Sequence, residues 1–294
     1  MRTRRSCRGG GLGLAVIGLA VLATASCTRL VVEEPPGVSP AGQPAAVRTA
    51  GDRQDQITQF SVINALMLGQ YDGSFTFQEV LEYGDFGLGT LDHLDGEMII
   101  LDGQVFQVRG DGKVVEVDPQ QTTPFAIVAR LEPEGEFACD ALAGLADLER
   151  LVDQTLAQKN HFIAIRVEGQ FPTITVRSVH PQQPPYKPLA EVASSQSVWT
   201  HTAQRGTLVG IRCPTWVHGL NVPGYHWHFL SADRTVGGHV LACQLREARL
   251  QYDICRDWLI KLPDNPRFNT SDLGADLRTE LDAVERARTD KSAQ

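Results

Sequence analysis

The segment that most constrains this chain runs from Gly224 to His239 and reads Gly-Tyr-His-Trp-His-Phe-Leu-Ser-Ala-Asp-Arg-Thr-Val-Gly-Gly-His. Its histidines, His226, His228 and His239, stand in an H-x-H-x10-H spacing. The aromatic and aliphatic neighbours predict a strand, on which residues two apart share a face. His226 and His228 then project together, and Trp227 projects the other way. Asp233-Arg234 predicts a turn, and Gly237-Gly238 lets the chain return close to itself, which brings His239 beside the first pair. A lone buried histidine is usually a hydrogen-bonded core residue. Three neutral imidazoles on rigid strands, with a position left open, describe a catalytic transition-metal site. Zinc is the default for imidazole ligands; iron, manganese, nickel and copper stay open at this point.

The first residues predict export. Arg2, Arg4, Arg5 and Arg8 make a positive start, and Gly11 to Ala23 is an apolar run too short to span a bilayer comfortably. Ala23-Thr24-Ala25 reads as a signal-peptidase site, so residues 1–26 are taken as an export signal. Ser26-Cys27 opens a second course, lipid attachment at Cys27. The chain is therefore expected outside the cytoplasm, periplasmic or extracellular, either free or tethered as a lipoprotein. Residues 27–50, with Pro35, Pro36, Pro40 and Pro44, predict a linker or tether. No transmembrane helix is expected in the mature chain.

Loss of residues 1–26 leaves 23 Lys and Arg of 27 against 35 Asp and Glu, a formal charge of −12. Such an acidic surface disfavours nucleic acid and anionic membranes as partners. A small anionic substrate needs a local positive site, such as a metal with an arginine. Cys139, Cys213, Cys243 and Cys255 have long, irregular spacings that fit neither a disulfide scaffold nor a metal knuckle. A Cys243–Cys255 bridge and free thiols both remain open.

The pattern along the chain is mostly β. Residues 57–69 fit strand or helix. Ser74 predicts the cap of a helix over Phe75–Tyr83. Glu97–Leu101, Gln104–Arg109 and Lys113–Val117 predict a meander turning at Asp102-Gly103 and Asp111-Gly112, and Phe125–Leu131 continues it. Leu142, Leu145, Leu148, Val152 and Leu156 recur at three- and four-residue steps and predict a helix over Asp140–Gln158. His161–Val167 and Thr173–Val179 predict a hairpin around Glu168-Gly169. Thr207–Arg212, the histidine strands, His239–Leu245 and Glu247–Tyr252 continue a largely antiparallel sheet, and Asp272–Arg288 predicts a last helix. The class is α+β.

Four ordered blocks add a resemblance. They are Gly87-Leu88-Gly89-Thr90-Leu91-Asp92-His93-Leu94-Asp95-Gly96-Glu97-Met98, Thr123-Pro124-Phe125-Ala126, Thr175-Val176-Arg177-Ser178-Val179, and Val222 to His239. In these the chain resembles α-acetolactate decarboxylase, over roughly residues 55–287. The resemblance implies zinc held by His226, His228 and His239. It implies site roles for Glu97, for Thr90 seven residues earlier, for Arg177, and for Glu285 folding back over the site. It implies conversion of (S)-2-acetolactate to (R)-acetoin and carbon dioxide, a carboxy-lyase reaction. It also implies a homodimer, and two α+β lobes, drawn here as residues 51–185 and 186–294 with the metal site on strands of the second. Trp227 is bulky for its place in this pattern.

The chemistry agrees with these residue types. Loss of carbon dioxide from a 2-hydroxy-3-oxo acid leaves an electron pair that flows into the ketone, and a Lewis acid stabilises the resulting enediolate. Arg177 can hold the carboxylate or the oxyanion with its planar fork. Glu97 or Glu285 can then protonate one face if an enclosed site raises its pKa. On pattern alone Glu97 is a turn residue, Arg177 a solvent-facing strand position, Glu285 a solvated helix position and Thr90 a backbone partner. His93, His161, His180, His201 and His218 have no evident partners and are assigned structural roles. Two other readings compete. A cupin-type oxygenase uses the same H-x-H pair, but needs a carboxylate a few residues on, where only Asp233 stands. A non-catalytic exported metal-binding protein would keep its function in Glu97→Gln and Arg177→Ala.

Overall fold

A computed structural model describes residues 55–285. The expected export signal (1–26), the tether (27–50) and the end of the last helix at Arg288 lie outside the described residues. Along the chain come β1 (Gln56–Phe60), α1 (Ile63–Met67), β2 (Phe75–Thr76), α2 (Phe77–Leu81), β3 (Phe86–Thr90), β4 (Glu97–Leu101), β5 (Gln104–Val108), β6 (Val114–Glu116), β7 (Thr122–Thr123) and β8 (Ala126–Ala129). Then follow β9 (Gly135–Leu142), α3 (Leu145–Thr155), β10 (Phe162–Ser178), α4 (Leu189–Ala193), β11 (Ser197–Cys213), β12 (Gly224–Ser231), β13 (Gly237–Cys243), β14 (Leu245–Cys255), β15 (Asp257–Lys261), α5 (Pro266–Thr270) and α6 (Arg278–Glu285). No described helix is long and apolar enough to cross a membrane.

The class is α+β, with two main sheets and few helices. The first is a seven-stranded sheet in the order β15-β1-β8-β3-β4-β5-β6, antiparallel except where β15 runs parallel to β1. The second is six-stranded, β11-β12-β13-β10-β14-β9, with β11 also paired to β10. That extra pairing closes β10, β11, β12 and β13 into a small ring. It requires long strands, and β10 and β11 have 17 residues each. The two sheets pack face to face through one apolar cluster. Phe86, Leu88, Ile99 and Ile127 of the first sheet meet Ala164, Val209, Ile211 and Leu230 of the second. The ring's other face holds Trp227, Phe229, Phe171 and Ile174 under Leu148 and Val152 of α3.

Several expectations change. The short helix is capped by Thr76, not Ser74. Its side chain accepts from the Glu79 N–H while Glu79 reaches back to the Thr76 N–H, a capping box. Residues 140–142 are strand rather than helix, because Leu142 pairs with Leu245 at the sheet edge. The hairpin expected around Glu168-Gly169 is one strand, β10, with only an irregularity there against β14. Gly169 stays extended because it is paired to Gly206 within a β10–β11 ladder of constant register. The division at residue 185 does not separate the two sheets either. β9 and β10 precede it yet belong to the six-stranded sheet, and β15 follows it yet joins the seven-stranded one. Cys139, Cys213, Cys243 and Cys255 are free thiols.

Two glycines fit the metal strands together. Trp227 lies opposite Gly210 in the ladder, and a Cβ at Gly210 would meet the indole ring at 2.0 Å. The bulky Trp227 is thus accommodated by an absent side chain on the next strand. Gly238 has φ +137°, and a Cβ there would meet the Arg177 carbonyl oxygen at 2.5 Å. This lets β13 lie close against β10 at the level of the site.

Candidate metal centre

Strand register assembles the centre. Arg177 on β10 pairs with His239 on β13, and His239 pairs with His228 on β12. The three residues therefore form one cross-strand row on one face, and His226 joins it two residues along β12. The turn between β12 and β13 is built by Asp233, whose Oδ1 accepts from the Ser231 and Thr235 hydroxyls and the Thr235 N–H. Asp233 is thereby used in the turn and is absent from the metal-ligand group, which removes the carboxylate that a cupin-type site requires.

His226, His228 and His239 are buried and converge. His226 Nε2 lies 3.2 Å from His228 Nε2 and 3.1 Å from His239 Nδ1. His228 Nδ1–H donates to the Met98 carbonyl at 2.8 Å, and His239 Nε2–H donates weakly to the Glu285 carbonyl at 3.4 Å. With those protons outward, His228 Nε2 and His239 Nδ1 present lone pairs to the centre. Burial, reinforced by the Arg177 charge, lowers the His226 pKa to about 3, and burial also holds His228 and His239 well below their ordinary value. The rings are thus neutral, the form that ligates metal. Tetrahedral ligands about 2.0–2.1 Å from zinc lie roughly 3.3 Å apart, close to the separations here. The donor set fits a metal ion.

Acid and base groups surround the triad. Glu97 opens β4 and pairs with Thr90 on β3; both face the second sheet with Ile99 and Leu88. Glu97 Oε2 is 3.4 Å from His228 Nε2, and its Oε1 is 3.6 Å from Arg177 Nη1. Glu285 comes from α6 on the opposite side. Its Oε1 is 4.0 Å from Arg177 Nη2, and its Oε2 is 3.7 Å from His239 Nε2 and 3.9 Å from His226 Nε2. Burial raises the Glu97 carboxyl to about 7, against the lowering pull of Arg177. Burial raises Glu285 as well, again opposed by Arg177. Thr90 is buried, and its hydroxyl donates to the Gly96 carbonyl at 2.7 Å, which steadies the turn that leads into Glu97.

All seven expected site residues therefore lie in one place. Other neighbours were not expected at the site, although Phe125 stands in one of the four blocks. Phe125, Leu189 and Val284 form an apolar wall beside Thr90, Glu97, Arg177 and His226. Gln196, in the loop before β11, accepts a hydrogen bond from Arg177 Nη1 at 3.0 Å. A further cavity of about 510 Å³ opens beyond Glu285, lined by Tyr225, Trp227, His239 and Asp282. His93 is spoken for elsewhere, between the Tyr186 hydroxyl and Asp92.

The model of the α-acetolactate decarboxylase family matches residues 57–275. The chain belongs to that family. An α-acetolactate decarboxylase of Methanosarcina mazei is 41% identical over 237 residues, covering 81% of this chain and 82% of its own. One of Methylococcus capsulatus is 40% identical over 237 residues, covering 81% and 90%. A crystal structure of α-acetolactate decarboxylase from Bacillus subtilis superposes with a TM-score of 0.76 at 32% identity, covering 79% of this chain and 99% of that one. Membership makes the chain a decarboxylase. The match ends before Glu285, so it is the fold of α6 rather than the matched segment that brings Glu285 to the triad.

Proposed function

We propose that this member of the family decarboxylates (S)-2-acetolactate to (R)-acetoin and carbon dioxide with zinc as its metal. The observation that carries this is the row Arg177–His239–His228, with a buried carboxyl at each side of the guanidinium. Zinc bound by His226, His228 and His239 would supply a Lewis acid for the ketone and hydroxyl oxygens as negative charge grows there.

The chain's own residues do the rest. Arg177 takes the substrate carboxylate and orients the bond that breaks. The apolar wall of Phe125, Leu189 and Val284 keeps water from the carbon that loses the carboxylate. That bond breaks, carbon dioxide leaves, and its electron pair moves into the former ketone. Glu97 then delivers a proton to the carbon that lost the carboxylate. Burial favours the neutral form of this carboxyl, which suits it to carry a proton into the site. Delivery from one fixed side yields one enantiomer. Glu285 closes the opposite side and shares Arg177.

We further propose zinc-loaded homodimers exported by residues 1–26, free or lipid-anchored at Cys27; the composition of residues 1–50 supports the export. The test is acetoin release from racemic acetolactate by the purified protein, as isolated, after chelation and after zinc is restored, with spontaneous decarboxylation subtracted. Turnover that disappears on chelation and returns with zinc is expected. A folded, metal-loaded protein without turnover would reject the reading.

A further inference from the structure

Arg177 is a buried cation with an unusual set of neighbours. Its side chain is 5% exposed, and two carboxylates approach it without closing a hydrogen bond, at 3.6 and 4.0 Å. Its hydrogen-bond partner is neutral: Nη1 donates to Gln196 Oε1 at 3.0 Å, and Nε has no partner. A guanidinium accepts nothing, so the Gln196 amide must turn its oxygen inward. The backbone of Gln196 is fixed on both sides. Its N–H donates to the Ala193 carbonyl at the end of α4, and the next residues, Ser197 and Val198, pair with Ser178 and Arg177 in the β10–β11 ladder.

We propose that Gln196 is the positioning residue for Arg177: a neutral amide that fixes the guanidinium without cancelling its charge, so that the Nε–Nη2 edge is presented to the carboxylate of a 2-hydroxy acid. This deepens the reading of the site given above and rests on it. Arginine and carboxylate ordinarily pair through two parallel N–H···O bonds. An aspartate or glutamate at position 196 would form that pair itself and compete with the substrate. An amide at the same place holds Nη1 and leaves the side edge of the guanidinium to the ligand. The orientation so imposed sets the direction of the carboxylate, and hence of the bond that breaks, relative to the metal ligands in the same strand row.

Two nearly isosteric variants separate this role from simple packing. Gln196→Met removes the acceptor and adds no charge. Gln196→Glu keeps the acceptor and adds a carboxylate. The zinc-loaded full chain is titrated calorimetrically with 2-hydroxy-2-methylpropanoate, a 2-hydroxy acid with no ketone to drive decarboxylation. Acetoin, which lacks the carboxylate, serves as control, and KM and kcat for acetolactate and thermal midpoints are read alongside. The 2-hydroxy acid is expected to bind on the order of 10–100-fold more weakly in Gln196→Met. It should bind more weakly still in Gln196→Glu, with KM carrying most of the change there and acetoin affinity unaltered. A structural role predicts the reverse order, with Gln196→Glu near wild type and Gln196→Met affected only as far as its midpoint falls. That order, unchanged affinity in both variants, failure of both to fold, or no binding by the wild type each overturns the proposal. If the 2-hydroxy acid shows the expected order but acetolactate is not turned over, the decarboxylation reading falls and the role of Gln196 stands. If acetolactate is turned over and the order is absent, only the role of Gln196 falls.

Discussion

His228 and His239 face each other across a main-chain ladder, whereas Glu285 reaches the same centre from a helix held by side-chain packing. The floor of the site is sheet: β12, β13 and β10 carry His226, His228, His239 and Arg177, and the Met98 carbonyl of the facing sheet orients His228. The roof is α6. It rests Leu281 and Val284 on Leu189 and Val192 of α4 and on Leu66 of α1. A ladder repeats one interaction at every residue and fixes positions closely, while a short helix is held by fewer and less directional contacts. The difference predicts that metal binding belongs to the floor and depends on the roof only through the long His239–Glu285 carbonyl contact, while turnover needs both.

The largest effect is expected at the floor. His228→Ala removes a ligand, so bound metal should fall well below one per chain and zinc-dependent turnover should drop by more than about 10³-fold. Metal content by emission spectroscopy, beside acetoin release, checks this. Full metal occupancy in that variant would break the assignment of the floor.

The two glutamates give the next largest contrast, since Glu97 belongs to the floor and Glu285 to the roof. Glu97→Gln should retain metal and lower kcat by roughly 10²–10⁴-fold, the range for removing a general acid. Glu285→Gln should retain metal and cost about ten-fold, through a loosened Arg177 and a less enclosed cavity. Single-turnover acetoin formation in both variants decides the order. The opposite order would move proton delivery to the roof.

The same division explains what could be seen without a structure. The floor was legible because strand period two, a turn at Asp233 and the Gly237-Gly238 return are local signals that converge on three histidines. The meander from Glu97 to Glu116 was legible because Asp102-Gly103 and Asp111-Gly112 mark its turns. Gly169 misled for a physical reason: it looks like a turn residue, and only ladder partners on β11, supplied from far along the chain, keep it extended. Leu142 fitted a helical repeat and is placed on a strand edge by Leu245. The division of the chain at residue 185 failed similarly, because the pairings that sort strands into sheets join distant segments. The roof's helix was expected over Asp272–Arg288 and forms over Arg278–Glu285, but no local signal marked its place at the site. Glu285 sits on a charged helix whose buried side is defined by Leu189 and Val192, and Gln196 lies in a loop with no motif. Their roles depend on tertiary packing, and the resemblance, rather than the pattern, pointed to Glu285.

The floor also stores a pH dependence. Burial raises Glu97 from 4.5 to about 7 in the fold, so its protonated form favours the folded chain. That stability is fully present below the unfolded value and is lost as pH rises through about 7, a change on the order of 3 kcal/mol. The histidines act in the opposite sense. His226 is lowered from 6.5 to about 3, so its contribution is present above 6.5 and is lost as pH falls toward 3. Because the histidines titrate alike in both proteins, the metal-stripped wild type should lose stability relative to Glu97→Gln, which cannot ionise, between pH 6 and pH 8. Urea melts of both proteins at the two values test it; an equal change in both would assign the pH dependence to other groups.

The smallest effect concerns how the roof is tied down. Asn64 on α1 is buried, and its amide donates to the carbonyls of Leu273 at 2.8 Å and Ala275 at 3.0 Å, just before α6 begins. It thus fixes the approach of the helix without touching the metal site. Asn64→Ala leaves two carbonyls to find water and removes two neutral hydrogen bonds, a loss of about 1–2 kcal/mol in stability. If the roof is held mainly at this tether, Glu285 should also be displaced more often, lowering kcat/KM a few-fold while metal content stays at the wild-type level. If Leu281 and Val284 hold it instead, Asn64→Ala should cost stability and leave kcat/KM intact, whereas Val284→Ala should lower both. Kinetics, metal content and melts of the two variants therefore distinguish a roof hinged at its polar tether from one seated by its apolar face.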